Sequence, residues 1–289
     1  VESPKVTVIG SANMDLVTST KRMPNQGETI LGNGFDTFPG GKGANQAVAA
    51  ARLGAEVNFI CSVGDDIFGH ELLENLKKER IHLPNVKPVT DTPTGVATIL
   101  LSDGDNRIIV TPGANANVTK ETIDKNQDVI QHSDIVLVQM EIPRETVEYV
   151  IERCHIWQVP IIVNPAPALH LSAHHWDMAT WITPNESEKE ALFSESDYHN
   201  WKQKMIITRG KQGASYWTDE KEIVVPTENK TVVDTTGAGD TFNGALAVSI
   251  AEGKTLEDAI GYANKAASIS VTRYGAQGGM PLKEEIGHS

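Results

Sequence analysis

Val6-Thr7-Val8-Ile9-Gly10-Ser11-Ala12-Asn13-Met14-Asp15 is a strand-length apolar run that stops at glycine and delivers polar side chains directly after it. A near-continuous apolar run of this length reads as a strand buried on both faces. The same pattern recurs at 57–61, 135–139, 160–163 and 205–208. Helix-like stretches lie between or beside these runs, at 43–53, 68–80, 120–131 and 145–156. Beyond about residue 225 the pattern turns mostly helical, with segments at 239–252 and 256–272. Buried strands alternating with helices predict an α/β fold with a mostly parallel central sheet covered on both faces.

Two segments break the alternation. Residues 28–38 and 94–110 read as ribbon strands, and the second contains Asp103-Gly104, a hairpin signal. Both are short for independent domains, so they are expected to project from the main sheet as a small lid over a site at its edge. No repeat, low-complexity tract or linker divides the chain. The expectation is a single domain over 1–289, with lid strands within about 13–40 and 94–111.

Composition narrows the functions. The 289 residues suffice for a sizeable core, and 39% hydrophobic with 22% charged residues describe an ordinary globular chain. A formal net charge of −13 argues against nucleic acid or an anionic membrane as the main partner. It leaves room for a phosphorylated small molecule held by backbone amides. No apolar run approaches the ~18 residues of a membrane span. Residues 1–10 lack a signal-peptide layout, and Val1 as first residue suggests a trimmed or processed chain. Cys61 and Cys154 stand far apart and in no C-x-x-C pattern, which suits buried thiols in a reducing compartment, the cytoplasm.

The chemistry concentrates in three places. Asn13 and Asp15 follow the first strand, where open α/β sheets bind ligands, and offer groups suited to hydroxyls. They also suit a plain turn. Pro39-Gly40-Gly41-Lys42-Gly43-Ala44-Asn45-Gln46 opens the first long helix, with glycines for close backbone approach and Lys42 and Asn45 for polar reach. It is no Walker A loop, since Asp36 and Gly43 occupy the diagnostic glycine and hydroxyl positions. Asp234-Thr235-Thr236-Gly237-Ala238-Gly239-Asp240-Thr241-Phe242 then sets a carboxylate behind three small residues. Phe242, Ala245, Leu246, Ser249 and Ile250 follow at helical spacing, predicting an amphipathic helix from near Gly239. Its bare N–H groups and dipole make an anion site, with Asp240 at the rim. Taken alone, the stretch reads equally well as a glycine turn capped by Asp240.

Together the 40–46 and 234–242 motifs resemble the two signatures of the ribokinase/fructokinase family of carbohydrate kinases, and the likeness runs from Val6 to about Pro281. The unbroken Gly-Gly-Lys-Gly-Ala-Asn-Gln run resembles the ribose-specific members. The resemblance implies a three-layer sandwich with a β-strand lid, and ATP-dependent phosphorylation of D-ribose at O5. It implies Asn13, Asp15, Gly41, Lys42, Asn45 and Glu141 on the sugar, and Asp240 as the base for the primary hydroxyl. Gly237, Ala238 and Gly239 would form the anion hole through their amides. Thr183-Pro184-Asn185-Glu186-Ser187-Glu188 is similar to the family's Asn-x-x-Glu element, which implies Asn185 and Glu188 near Mg²⁺-bound phosphates, through water. The same pair also reads as a helix capping box. Thr208, Gly210 and Gly213 are implied on the nucleotide side, with Asn264 beside the adenosine.

A monovalent cation, usually K⁺, is implied beside the anion hole at Asp234, Thr236, Ser270, Arg273, Gly275 and Gly279, mostly through carbonyls. Gly279 stands where a Ser side chain is common. The family also implies a homodimer paired through its lids, which suits the apolar Ile30, Leu31, Ile99 and Leu101 on the ribbons. Sibling substrates (deoxyribose, fructose, a nucleoside) and a non-catalytic sugar or nucleotide sensor are the rival readings. His170 and His174 have the i, i+4 spacing of a metal pair, with Asp177 near, but no H-E-x-x-H arrangement accompanies them. They read as a partly exposed polar segment.

Overall fold

A computed structural model of the chain describes residues 2–102 and 105–287. Its strands, in chain order, are β1 (Lys5–Ile9), β2 (Asn13–Thr20), β3 (Gly34–Gly40), β4 (Glu56–Ile60), β5 (Gly95–Ser102) and β6 (Asp105–Thr111). They continue as β7 (Ile135–Val138), β8 (Ile161–Val163), β9 (Trp181–Ile182), β10 (Ile206–Thr208), β11 (Ala214–Trp217) and β12 (Glu222–Val225). The central sheet is all parallel, in the order β4-β1-β7-β8-β9. Isolated bridges Ile182↔Met205 and Asn185↔Thr208 carry it on to an antiparallel β10-β11-β12 sheet.

Alternation within each central strand explains the layers, because successive side chains point to opposite faces. Val6 and Val8 of β1 and Ile135 and Leu137 of β7 enter one core, together with Ala47 and Val48, Leu246 and Val248, and Ile260 and Ala263. Those partners lie on helices Lys42–Arg52, Ala238–Ala251 and Leu256–Ser270. Val136 and Val138 enter the other core, against Val147, Val150 and Ile151 of helix Arg144–Trp157. The result is a three-layer α/β/α sandwich.

The lid is a separate four-stranded sheet, β3-β2-β5-β6. It grows from the site itself, since β2 begins at Asn13 and only Asn13 and Met14 of that strand are buried. Pairing of Ser102 with Asp105 brackets the Asp103-Gly104 hairpin signal, which lies outside the described residues.

Three sequence expectations need correction. The ribbon expected over 28–38 begins only at Gly34, because 25–28 turns back on itself, with Asn25 N–H bonded to Glu28 and Glu28 paired with Arg22. The helix expected over 120–131 breaks at Asn126 into Lys120–Lys125 and Gln127–Gln131. Asn126 caps the break by turning its own amide back onto the Thr122 carbonyl. Helix Ala238–Ala251 is not amphipathic: every residue from Asp240 to Ser249 is buried. It runs through the middle of a layer between helices Lys42–Arg52 and Leu256–Ser270, so it has no solvent face over that length.

Close approach of helices Lys42–Arg52 and Ala238–Ala251 depends on Gly244. A Cβ there would lie 2.7 Å from the Ala49 Cβ and 2.8 Å from the Gln46 carbonyl oxygen. Better helix propensity from Gly244→Ala offers about 1 kcal/mol. Overpacking of two helices in a filled core costs about 1–3 kcal/mol. The substitution is therefore expected to lower Tm in calorimetry; a raised Tm would show that the helices can separate without loss.

Candidate active site

The carboxyl ends of the central strands converge on one edge, where an open α/β sheet places its ligands. β1 delivers Ser11, β7 delivers Gln139 and Glu141, β8 delivers Asn164, β9 delivers Thr183 and β10 leads to Gly210. The Ala238–Ala251 helix points its N-terminus at that edge.

Asp240 occupies the first turn of this helix and is 7% exposed. It is not the cap; Gly237 is, at φ +76°, a left-handed conformation that glycine adopts freely. Among the described residues, the backbone N–H groups of Gly237, Gly239 and Asp240 have no hydrogen-bond acceptor, whereas Ala238 N–H donates to the Thr235 carbonyl at 3.2 Å. Gly239 is exposed and has open space around it. These bare donors at a dipole's positive end form an anion-binding concavity.

The Asp240 carboxylate accepts two amide hydrogen bonds, from Asn45 Nδ2 to Oδ2 and from Gln46 Nε2 to Oδ1, both at 3.0 Å. Burial pushes its pKa up; Lys42 and the two amides pull it back without cancelling the rise. Asn45 is also tied at its oxygen, which accepts from Gln277 Nε2 at 3.0 Å.

Around Asp240 lies a cluster of charges close enough to shift one another. Asp15 is pushed up to about 7 by burial, with Glu141 and Asp240 adding repulsion. Lys42 is largely desolvated, which lowers its affinity for a proton, but Asp240, Glu141 and Glu188 outweigh that and hold it charged. A positive charge opposes the dipole at a helix start, so these carboxylates account for Lys42. Glu141 Oε2 accepts from Ser11 Oγ at 2.5 Å and from the Lys42 backbone N–H at 3.1 Å. It makes no pair with Arg144, which binds Glu148 instead. Asn13 is buried, and its Oδ1 accepts from Asn115 Nδ2 at 2.7 Å.

On the other side of the helix start is a cavity of about 510 Å³. Thr208, Gly210, Gly213 and Asn264 line it, and Ala238 and Gly239 close it at the anion-binding turn. Asn264 spends its Nδ2 on the Val225 carbonyl at 2.8 Å, which anchors this wall to β12.

Asn185 and Glu188 do form the capping box: Glu188 N–H donates to Asn185 Oδ1 at 2.8 Å, and Asn185 N–H to Glu188 Oε2 at 2.9 Å. Burial raises the Glu188 pKa; the Asn185 amide and Lys42 oppose this, and Asp240 adds to it. Among the described residues no three His, Cys, Asp or Glu side chains gather as a metal cage. His170 and His174 are both exposed, and His170 lies before the helix Ala173–Met178, so the pair does not share a helix face.

Asp234 is held below its ordinary pKa: burial raises it, but donors from Thr236 N–H and Oγ and Gly275 N–H overcome that. An ionised carboxylate beside the carbonyl-rich 270–279 turn fits a monovalent cation. Arg273 turns outward to Glu285, leaving only its backbone for such a site. A Cβ at Gly279 would sit 2.2 Å from the Ser270 carbonyl oxygen, so no serine fits there in this conformation.

The sequence model of the "pfkB family carbohydrate kinase" matches residues 3–283. The chain belongs to this family. It is 49% identical to "Ribokinase" of Bacillus subtilis (strain 168), over 97% of each chain. To "Ribokinase" of Lactococcus lactis it is 44% identical, over 98% of this chain and 95% of the other. The structure of Arabidopsis thaliana ribokinase complexed with ribose and ATP superposes with a TM-score of 0.90 at 33% identity, covering 99% and 98% of the two chains.

Several residues of this carbohydrate kinase's site had no role in the sequence reading: Ser11, Gln46, Asn115, Gln139, Asn164, Thr183, Asn243 and Gln277. Most are buried polar groups that bond to the site residues rather than face outward. One signal could have found Gln139 and Asn164, since each is a polar residue directly after an apolar strand run.

Folded Asp15 binds its proton more tightly than the unfolded side chain, whose pKa is near 3.8. The stability this gives is fully present below about pH 4 and is lost as pH rises through about 7. The ligand-free Asp15→Asn variant is therefore expected to gain Tm relative to the parent as pH goes from 4 to 8. A Tm difference constant across that range would remove Asp15 from the coupled cluster.

Proposed function

We propose that this carbohydrate kinase transfers the γ-phosphoryl group of ATP to O5 of D-ribose, giving D-ribose 5-phosphate and ADP. The observation that carries the reading is the place of Asp240: a buried carboxylate beside an anion-binding helix start, with a polar cluster on one side and the cavity on the other. Relatives named ribokinase, and a similar structure bound to ribose and ATP, support the choice of substrates.

In this reading Asn13, Asp15, Gly41, Lys42, Asn45 and Glu141 hold the sugar. Asn45 contributes its one N–H not already donated to Asp240. Asp240 takes the proton from O5 as the oxygen attacks. Bare amides at Gly237, Gly239 and Asp240 receive the negative charge that builds on the phosphoryl oxygens. Ala238 N–H, bonded to Thr235 in this conformation, joins them only if that turn opens. ATP lies in the cavity along Thr208, Gly210, Gly213 and Asn264. Mg²⁺, when bound with the nucleotide, supplies neutralisation of the phosphate charge, with Asn185 and Glu188 holding its waters. A monovalent cation, K⁺ by family resemblance, would be held by Asp234 and the Thr236, Ser270, Arg273, Gly275 and Gly279 backbone, and supplies a fixed positive charge. Little covalent chemistry is left for the protein, so positioning carries the rate. The β3-β2-β5-β6 sheet excludes water that would otherwise take the phosphoryl group.

Exposed apolar side chains stand on both faces of that sheet, Phe38, Leu101, Ile108 and Val110 on the face that Asp15 shares and Phe35 and Ile109 on the other, and β6 is an open edge. A homodimer joined through the lids would cover it. Two buried free thiols fit a cytoplasmic setting. No helix among the described residues is long and apolar enough to cross a membrane.

Replacing Asp240 with Asn is expected to lower kcat by about 10²–10⁴-fold, with ribose affinity in calorimetry retained. Near-full turnover would reject the base. A panel of D-ribose, deoxyribose, fructose and a nucleoside, read as sugar-dependent ADP, tests the substrate. Deoxyribose as the best substrate would favour a sibling kinase, and no ADP with any of them would favour a sensor. Ile109→Lys is expected to shift the protein to monomer in light scattering; an unchanged mass would place any dimer contact elsewhere.

A further inference from the structure

Gln46 follows Asn45 in the first long helix and is fully buried. Its Nε2 donates to Asp240 Oδ1 and to Asn164 Oδ1, both at 3.0 Å. Its Oε1 accepts from Gln139 Nε2 at 2.6 Å. An isolated amide could sit either way round, but this one cannot. Asn164 Nδ2 donates at 3.0 Å to the backbone carbonyl of Thr183, which has no hydrogen to give. That fixes Asn164 Oδ1 toward Gln46, and so fixes the Gln46 NH₂ toward Asn164 and Asp240. Reversing Gln46 alone would set its oxygen against two acceptors. The direction passes on to Gln139, whose Oε1 is left buried without a partner. A buried orphan acceptor is a cost the fold carries, and here it follows from Gln139 giving its amide N–H to Gln46 Oε1 while Gln46 turns its own toward Asp240 and Asn164.

We propose that Gln46 is a positioning residue for the phosphoryl transfer: its amide, locked by Asn164, keeps an N–H on Asp240 and thereby holds that carboxylate ionised and fixed in orientation. The inference rests on the kinase reading above and deepens it. Asn45 supplies the second donor on the other oxygen, backed by Gln277, which is itself held by Asn75 Nδ2 at 2.8 Å. Each Asp240 oxygen thus has one amide, and each amide has its own support. The charged groups facing Asp240 are Lys42 at the start of the helix that carries Gln46, Glu141 beyond β7, Asp15 on β2 and Glu188 on helix Glu186–Leu192. Substituting Gln46 leaves all of them in place. Losing a donor that favours the charged form raises the pKa of the base.

The test is the pH profile of kcat for ribose-dependent ADP formation in the Gln46→Met protein, which keeps the side-chain length but has no donor. Its low-pH limb is expected to move upward by about one to two pH units, with activity recovering above the new limb and ribose KM nearly unchanged. A merely structural role would lower Tm and reduce kcat at every pH without moving the limb, and that result overturns the proposal. Asn164→Leu removes the lock while leaving the donor, so it is expected to move the limb in the same direction by less. It decides the matter if Gln46→Met does not fold, an unmoved limb again overturning the proposal. Parent protein that makes no ADP with any sugar rejects the kinase reading. Active parent protein with unmoved limbs in the variants rejects only the part given to Gln46.

Discussion

A carboxylate in the buried first turn of a helix has to be matched by donors that the fold brings from elsewhere. Asp240 meets that demand with one amide on each oxygen, from consecutive residues of the helix packed beside it. A buried, unpaired carboxylate would give up its charge instead. The match works only while helices Lys42–Arg52 and Ala238–Ala251 stay in close contact, which is why Gly244 and Ala49 meet where they do. Packing and charge are therefore one constraint here.

The same constraint explains the polar interior around the site. Asn243 Nδ2 bonds the Gly239 carbonyl at 2.9 Å, and Thr183 Oγ bonds Asn243 Oδ1 at 2.6 Å, so the anion-binding turn is tied to the end of β9. Arg52, paired with Glu79, donates to the Gln277 and Met280 carbonyls and fixes the 277–280 turn that supports Asn45. A buried network of this kind is stabilising only when its members are satisfied. Among these links the one orphan, Gln139 Oε1, is separated from Asp240 by Gln46.

Surplus negative charge gives the cluster its character. Asp15, Glu141, Glu188 and Asp240 face one lysine. Asp15, pushed up to about 7 by burial and by Glu141 and Asp240, is where that surplus is relieved by a proton. A net charge of −13 is compatible with the bare backbone N–H groups at the start of helix Ala238–Ala251, because an anion site of that kind needs no basic side chain.

Much of this was legible in the chain itself. Apolar runs ending in polar residues placed β1, β4, β7, β8 and β10, and the 40–46 and 234–242 motifs named the two helix starts that matter. The short β9, β11 and β12 and the lid strand from Asn13 carried no such run, and Asn126 broke a helix whose periodicity continued through it. Phe242 to Ile250 suggested a one-sided helix because periodicity reports one face and cannot see neighbours on the others. Sequence alone determined the strand order of chemistry along the chain: which residues lie at strand ends and helix starts, and so which can reach a ligand. Only the tertiary structure decided that Gln46, Asn164 and Thr183, far apart in the chain, join in one line of hydrogen bonds that ends on the Thr183 carbonyl and fixes the Gln46 donor on Asp240. Hydrogen bonds depend on distance and on which atom carries the proton, and neither is written in local spacing.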